Sequence, residues 1–402
     1  MTKEDIQILT DDRVRQLINE HIDEDPVRFA LTFQSNEIPI SLVSTQLKYL
    51  QRAKDKLPTY YNYRALIPPL AYEQASSERA AQMKRFSGAR CLDLTMGLGV
   101  DTLHFSQHFD HVTSLEIQPH LYQVGKHNFA SMGISNVHML HTSAEDFLHI
   151  YKDPPFDLIF VDPARRGAQG QRVYKLQDCA PNVIELWNNL RNIGKRIVVK
   201  VSPLYDIHAA LREIPTLTGI SVISIKNEVK EVWLEWEEGF EGTKSLNLRL
   251  FDGKKETEFR FDWEGAVPPL ALPDTHPSHW VEPDVAFYKA RRLSTLAHNH
   301  QDTWASGLNN AMGFIAAEVA EWEDQIPGRI FEVKEAFPFK PKQLKKYFKA
   351  QDLTRLHVIQ RAFPLTVAQI RQQLNLREGG ELYLLCTVWK GQKVAYLTER
   401  KK

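Results

Sequence analysis

Cysteine is scarce. The 402-residue chain holds three, Cys91, Cys179 and Cys386, far apart and without a CxxC pair, which excludes a disulfide framework and gives no support to a zinc knuckle. Long apolar runs are missing as well: none approaches the roughly 18 residues of a membrane span. The opening MTKEDIQILTDDRVRQ is polar and acidic rather than a basic stretch followed by an apolar one, so no secretory leader is expected and the setting reads as a reducing cytoplasm. There is no internal repeat and no low-complexity tract. Net charge is zero, 50 Lys and Arg against 50 Asp and Glu, but unevenly spread: Gln325 to Lys402 carries 16 basic residues against 6 acidic ones. Such a basic end suits a polyanion.

What is present is enough apolar residue, 43% of the chain, to build two or three domains of about 100–200 residues. Residues 1–85 show helical spacing, as in Val14, Leu17, Ile18 and Ile22, broken by prolines. Residues 86–265 alternate strand-like runs (CLDL, VTSLEI, NVHMLH, FDLIFVD, KRIVVKVS) with helical stretches, then add runs spaced as antiparallel edge strands. This is the pattern of an α/β, mostly parallel sheet with helices on both faces. Residues 266–326 read as a linker, with five prolines in PPLALPDTHPSHWVEPD, followed by a helical segment. Residues 327–402 form a small α+β pattern.

The stretch CLDLTMGLGVDTLHF, Cys91 to Phe105, ends a strand in Asp93 and turns through Gly97 and Gly99 into a helix, with Asp101 just beyond. Glycine lets the backbone approach a ligand that a Cβ would obstruct. The dinucleotide fingerprint needs a third glycine, and Thr102 stands in its place. The next strand ends near Glu116, suited to the two hydroxyls of a ribose. The third ends in HTSAEDF, where Ser143 and the Ala144 backbone could frame a purine, and the fourth ends in VDPARR. Four polar strand ends in succession describe a nucleoside-type cofactor across the carboxyl edge of a parallel sheet.

DLTMGLGVD, Glu116, TSAED and VDPA resemble the motifs of the class I S-adenosylmethionine-dependent methyltransferases, whose domain is a Rossmann-like, seven-stranded, mostly parallel sheet. LAYEQASSERAA, VDPARR and AFPFKPKQLKKYF resemble, more narrowly, a bacterial group with a C-terminal THUMP-like domain. The resemblance implies S-adenosyl-L-methionine as cofactor. It implies that Asp93, Thr95, Gly97 and Gly99 line its methionine part, with Asp101 and Asp162 also at the cofactor, that Glu116 takes the ribose, and that Ser143 and Ala144 meet the adenine. Ser143 stands where the family often has Asp, with Glu145 and Asp146 as nearby substitutes.

For chemistry, Asp162, stiffened by Pro163, could accept a hydrogen bond from an attacking N–H. Arg165 or Arg166 could bind phosphate or base. Lys200 and Ser202, ending strand five, are further candidates. VDPARRG also resembles the VDPPRxG of RNA 5-methyluridine methyltransferases, whose chemistry needs a cysteine to add to the pyrimidine ring. No cysteine stands in KVSPLYD after strand five, and Cys179 falls in a helical stretch and reads as packing, so a base nitrogen is the expected target. Gln74 and Ser76 in EQASSERAA either close over the cofactor or merely cap a helix. The histidines of HFSQHFDH lack partner carboxylates, and no metal is expected.

In KPKQLKKYFK the residues Lys342, Lys345, Lys346 and Lys349 are related by intervals of three and four, which puts them on one helical face, with Leu344 and Phe348 turned elsewhere. That stripe suits a phosphate backbone, with Tyr347 placed to stack on a base. The expectation is an RNA methyltransferase for tRNA or rRNA, the basic domain recruiting substrate. Its rivals are a methyltransferase for a protein or small molecule, and an idle RNA-binding or assembly factor that keeps the pocket.

Overall fold

Helical spacing at the start of the chain yields α1 (Lys3–Thr10), α2 (Asp12–Glu20), α3 (Pro26–Thr32), α4 (Ile40–Lys56), α5 (Pro58–Asn62), α6 (Pro69–Gln74) and α7 (Glu78–Gln82). Prolines open α3, α5 and α6, where a missing N–H leaves no helical bond unmade. The structure is a computed structural model that describes residues 1–165, 176–300, 303–305, 312–318 and 326–401, with only the backbone of Arg165 and Ala305.

Strands and helices then alternate: β1 (Gly88–Asp93), α8 (Val100–Ser106), β2 (Phe109–Leu115), α9 (Pro119–Ser131), β3 (Val137–Leu140), α10 (Ala144–Ile150) and β4 (Leu158–Val161). The short β5 (Ala164–Arg165) and β6 (Cys179–Ala180) pair with each other. After them come α11 (Val183–Ile193), β7 (Arg196–Val201), α12 (Ile207–Glu213), β8 (Gly219–Ile225) and β9 (Val229–Glu237). Cys179 therefore lies in a strand, not in the helical stretch expected; the helix starts only at Val183, behind the cap of Asn182.

The chain divides into two compact units, Met1–Ile220 with Glu231–Gly242, and Ser221–Lys230 with Thr243–Lys402. In the first, β1 runs parallel between β2 and β4, β3 lies beyond β2, and β7 beyond β4, all parallel. β9 is antiparallel to β7. β4 is buried at every position, as a strand covered on both faces must be. The N-terminal helices are not a separate layer of chain. Val43, Leu47, Leu50 and Tyr60 share one buried cluster with Met96, Leu98 and Val100 of the glycine turn and Phe129 of α9. Each such side chain contributes about 1.5–3 kcal/mol.

The second unit holds β10 (Ser245–Phe251) and β11 (Glu256–Asp262), an antiparallel pair. It continues with β12 (His279–Pro283), α13 (Val285–Ala290), α14 (Leu293–His298), β13 (Thr303–Ala305), β14 (Ile315–Ala317), β15 (Gly328–Pro338), α15 (Pro341–Ala350), β16 (His357–Gln360), α16 (Val367–Leu374), β17 (Leu382–Trp389) and β18 (Gln392–Arg400). These strands form a seven-stranded sheet in the order β13-β14-β12-β15-β18-β17-β16. The proline-rich stretch read as a linker thus supplies an interior strand: HWVEP of β12 is buried throughout, with Trp280 against Phe331 and Tyr396. Its prolines sit outside the paired run except Pro283 at the strand's last position, where a missing donor is tolerated. Among the described residues no helix is long and apolar enough to cross a membrane.

Candidate functional site

At the carboxyl ends of β1, β2, β3 and β4 the first unit opens a cavity of about 590 Å³, lined by Leu94 to Asp101, Leu115 to Gln118, Thr142 to Glu145, Asp162 to Ala164, Ala180 and Pro181, and closed on one side by Ala71, Gln74, Ala75 and Ser76. Of the sequence candidates, Thr95, Gly97, Gly99, Asp101, Glu116, Ser143, Ala144, Asp162 and Pro163 meet here. Charged lining residues, among those described, are Asp101, Glu116, Glu145 and Asp162, all acidic.

The two glycines have different jobs. Gly97 has φ +58°, and a Cβ built on it meets nothing within 4 Å, so it leaves room open at the cavity wall. Gly99 has φ +88°, and a Cβ there lands 2.8 Å from the Phe129 ring. Its bareness lets the turn pack on the helices, and Tyr60 fixes the same turn by donating its hydroxyl to the Leu98 carbonyl at 2.9 Å. Glu116 accepts the backbone N–H of Gly97 at 2.9 Å and of Gln118 at 2.7 Å, tying the first two strand ends together. Burial raises its carboxyl above the usual range. Ser143 caps α10, accepting the N–H of Asp146 at 3.0 Å and donating to its carboxylate at 2.8 Å. Asp146 is thereby spent on the cap, and Glu145 rather than Asp146 faces the cavity.

Asp93 differs from its expected place. It is 1% exposed and stands beneath the lining, accepting the Thr95 N–H at 3.0 Å and the Thr102 hydroxyl at 2.5 Å. Burial pushes it up to about 7. It holds the turn rather than a ligand. Thr95 passes the constraint on, its hydroxyl accepting the Asp162 N–H at 2.7 Å.

Lys200 also lies behind the wall. Its ammonium sits 2.5 Å from the Asp162 carboxylate and donates to Ser76 Oγ at 2.8 Å. Burial alone would lower its pKa, but Asp162, Glu231 and Asp101 overcome that and raise it. A lysine held charged is no base; it positions Asp162. Asp162 itself is raised by burial against the pull of Lys200. Sequence reasoning missed the rest of this cluster. Lys84, fully buried, pairs with Asp101 at 2.9 Å and with Glu231 of β9 at 2.8 Å. Ser76 donates to Glu231 at 2.7 Å, and the Trp233 indole N–H donates to it at 2.8 Å. Burial would raise Glu231, but Lys84 and Lys200 overcome that and hold it well below the usual carboxylate range. A lysine, MKR, before the first strand and a glutamate in VKEVW were the available signals, too ordinary to single out.

Ser202 accepts the Leu204 N–H at 3.2 Å and is not among the lining residues. Of Arg165 only the backbone, in β5, is described, and Arg166 lies outside the described residues. Cys179 faces Arg165 across the β5–β6 ladder, one residue from the lining Ala180. Two of the three histidines of HFSQHFDH are engaged with backbone: His104 Nε2 contacts the Lys84 carbonyl at 2.9 Å, and His108 Nδ1 the His104 carbonyl at 2.9 Å.

In the second unit, α15 buries Leu344 and Phe348 and exposes Lys342, Lys345, Lys346 and Lys349. Tyr347 is not presented outward for stacking. Its hydroxyl donates to the Glu335 carboxylate and its ring leans on Phe337 at 4.7 Å.

A parallel sheet with one antiparallel strand beside β7 and a glycine turn after β1 is the class I methyltransferase fold. Comparison with known proteins agrees. Over 99% of both chains the structure superposes on the crystal structure of a provisionally assigned methyltransferase from Porphyromonas gingivalis W83, with TM-score 0.83 and 26% identity. Residues 328–400 match the THUMP domain-like family, so the resemblance read from the motifs holds for both parts of the chain. A segment of 83 residues, 20% of the chain, is 37% identical to 19% of the 23S rRNA (uracil(1939)-C(5))-methyltransferase RlmD of Klebsiella pneumoniae. A segment of 81 residues, also 20% of the chain, is 32% identical to 42% of the ribosomal RNA small subunit methyltransferase D of Buchnera aphidicola. The chain thus spans less than half the length of either curated relative.

Proposed function

We propose that the protein is an S-adenosyl-L-methionine-dependent methyltransferase that modifies a base nitrogen of tRNA or rRNA in the cytoplasm, with the lysine face of α15 holding the RNA backbone. The observation that carries the cofactor reading is the cavity's charge: Asp101, Glu116, Glu145 and Asp162 with no described cation. A pyrophosphate would be repelled there, whereas a nucleoside bearing a sulfonium suits it. Glu116, fixed by two N–H groups, has oxygen lone pairs left for ribose hydroxyls; Thr142 to Glu145 fit the adenine end, and Thr95 to Gly97 and Asp101 the amino-acid end. When bound, the cofactor supplies an electrophilic methyl group.

The chain's own task is then positioning and proton handling. Asp162, held by Thr95 and Lys200, accepts the N–H of the target nitrogen and aims its lone pair. Once that nitrogen is methylated, its proton would pass to the Asp162 carboxylate. The lysine face supports RNA as substrate, as do the names of the two ribosomal RNA methyltransferases that share segments with the chain.

A second reading, methylation of pyrimidine carbon 5, is favoured by one observation: Cys179 lies one residue from the cavity wall rather than in a helix. The two are separated by incubating the protein with labelled cofactor and total RNA from cells lacking it, then identifying the product nucleoside by mass spectrometry. An N-methylated base unaffected by Cys179→Ala supports the nitrogen reading. A 5-methylpyrimidine, abolished by Cys179→Ala, overturns it.

A further inference from the structure

Six charged groups lie together at the cavity wall, Asp101 and Asp162 in the lining and the other four behind it. Lys84 lies 2.9 Å from Asp101 and 2.8 Å from Glu231. Lys200 lies 2.5 Å from Asp162, 3.8 Å from Asp101 and 3.9 Å from Glu231. Asp93, 1% exposed, completes the set from β1. Two ammonium groups thus face four carboxylates. With every group ionised, the surplus is two negative charges in a region where both lysines, Asp93 and Glu231 have little contact with water. Uncompensated buried charge is costly, and a proton is the simplest compensation.

The other titratable groups facing the cluster do not offset the surplus. Burial pushes Tyr60 of α5 and Cys91 of β1 up and His104 of α8 down, so all three stay neutral near pH 7. Glu116 and Glu145, which line the same cavity, bring no cation either.

We infer that the unliganded protein stores about one proton on the Asp93 and Asp162 carboxylates of this cluster, and that a cationic ligand in the cavity expels it while a neutral one does not. Asp101 and Asp162 make this possible, because each both lines the cavity and touches a buried lysine. The inference rests on the cofactor reading above. The charge of Asp162 raises Asp93, so the proton is shared between the two rather than fixed on one residue. Asp93 and Asp162 are the members whose burial raises them, while Glu231 stays ionised. The proton balance of the proposed reaction then closes within the site. The cluster gives one proton to solvent when positive charge enters, and Asp162 takes one back from the methylated nitrogen when the methyl group has left the sulfur.

S-adenosylmethionine and S-adenosylhomocysteine differ by one methyl group and one positive charge, so the pair isolates the effect. Both carry an α-amino group that titrates near 8, which confines the measurement to pH 5.5–7. Calorimetric titration of the full-length protein in buffers of different ionisation enthalpy counts the protons released. S-adenosylmethionine should release close to one more proton than S-adenosylhomocysteine, and its affinity should rise toward about 10-fold per pH unit faster. Asp162→Asn should cut the difference at least by half; should that variant not fold, the wild-type comparison decides alone. Equal proton release for the two ligands, or none for either, overturns the inference and leaves the cofactor assignment standing. Failure of both ligands to bind removes the cofactor reading instead.

Discussion

Replacing each glycine of the turn by alanine should produce two different defects. At Gly97, φ +58°, a Cβ costs about 1–2 kcal/mol of backbone strain and has no neighbour to strike within 4 Å. The loss of stability should stop there, but the methyl group occupies the wall a ligand must approach, so S-adenosylmethionine affinity should fall about 10-fold, or about 1.4 kcal/mol. Gly97→Arg should abolish binding. At Gly99, φ +88°, the new Cβ lies 2.8 Å from Phe129 Cζ and 3.4 Å from Tyr60 Oη. Neither ring has room to retreat: Tyr60 is 0% and Phe129 4% exposed, and Tyr60 is fixed on the Leu98 carbonyl. Overpacking adds about 1–3 kcal/mol to the strain, for a total of roughly 2–5 kcal/mol. Urea unfolding and calorimetry on both variants separate the terms. If Gly99→Ala is as stable as Gly97→Ala, or if Gly97→Ala binds cofactor as the wild type does, the division of labour drawn from the turn is wrong.

Glu116→Ala strands the N–H groups of Gly97 and Gln118, each worth about 1–3 kcal/mol, and removes the ribose acceptor; cofactor affinity should drop about 100-fold or more by calorimetry. Replacing Lys342, Lys345, Lys346 and Lys349 by Gln should flatten the salt dependence of RNA binding by roughly 0.7–0.9 for each phosphate no longer neutralised, measured by filter binding, with cofactor affinity unchanged. Asp93 in the fold holds its proton up to about 7 against an ordinary 3.8, so the native state binds more protons between those values and stability falls as pH rises through that window. Relative to Asp93→Asn, the wild type should therefore gain roughly 2 kcal/mol between pH 7.5 and 5.5; a loss on acidification would contradict the burial argument.

What can be read from the sequence is what neighbours in sequence decide. The strand ends, the glycine turn and the position of Glu116 follow from runs a few residues long, and the lysine face of α15 follows from helical spacing alone. The buried ion cluster cannot be read that way. Ser76 and Glu231 stand 155 positions apart, Lys84 and Glu231 147, and no local pattern marks a lysine that the fold will bury. Asp93 ends its strand and so suggests a place at the ligand, yet the side chain turns inward once Thr95 and Thr102 offer donors. β12 is hidden by its prolines, and Cys179 by a helix that begins later than its apolar spacing suggests. An aromatic residue on a basic helix suits stacking on a base, which is the case for Tyr347; Glu335, on a neighbouring strand, claims its hydroxyl instead.

The N-terminal helices belong to the site, and this changes what the sheet by itself could do. A glycine turn after a parallel strand offers backbone approach but no rigidity, since glycine gives up more conformational freedom than any other residue when it is fixed. Here the freedom is removed from outside the sheet, by Tyr60 on the Leu98 carbonyl and by the buried cluster shared with Val43, Leu47 and Phe129. The same region then crosses the cavity as Ala71 to Ser76 and ends in Lys84, whose charge is taken up by Asp101 and Glu231. One segment thus shapes the ligand turn, walls the cavity, and sets the charge against which Asp162 must hold or release its proton. A change in that segment would reach the chemistry through Ser76 and Lys84 without any residue of the sheet being altered.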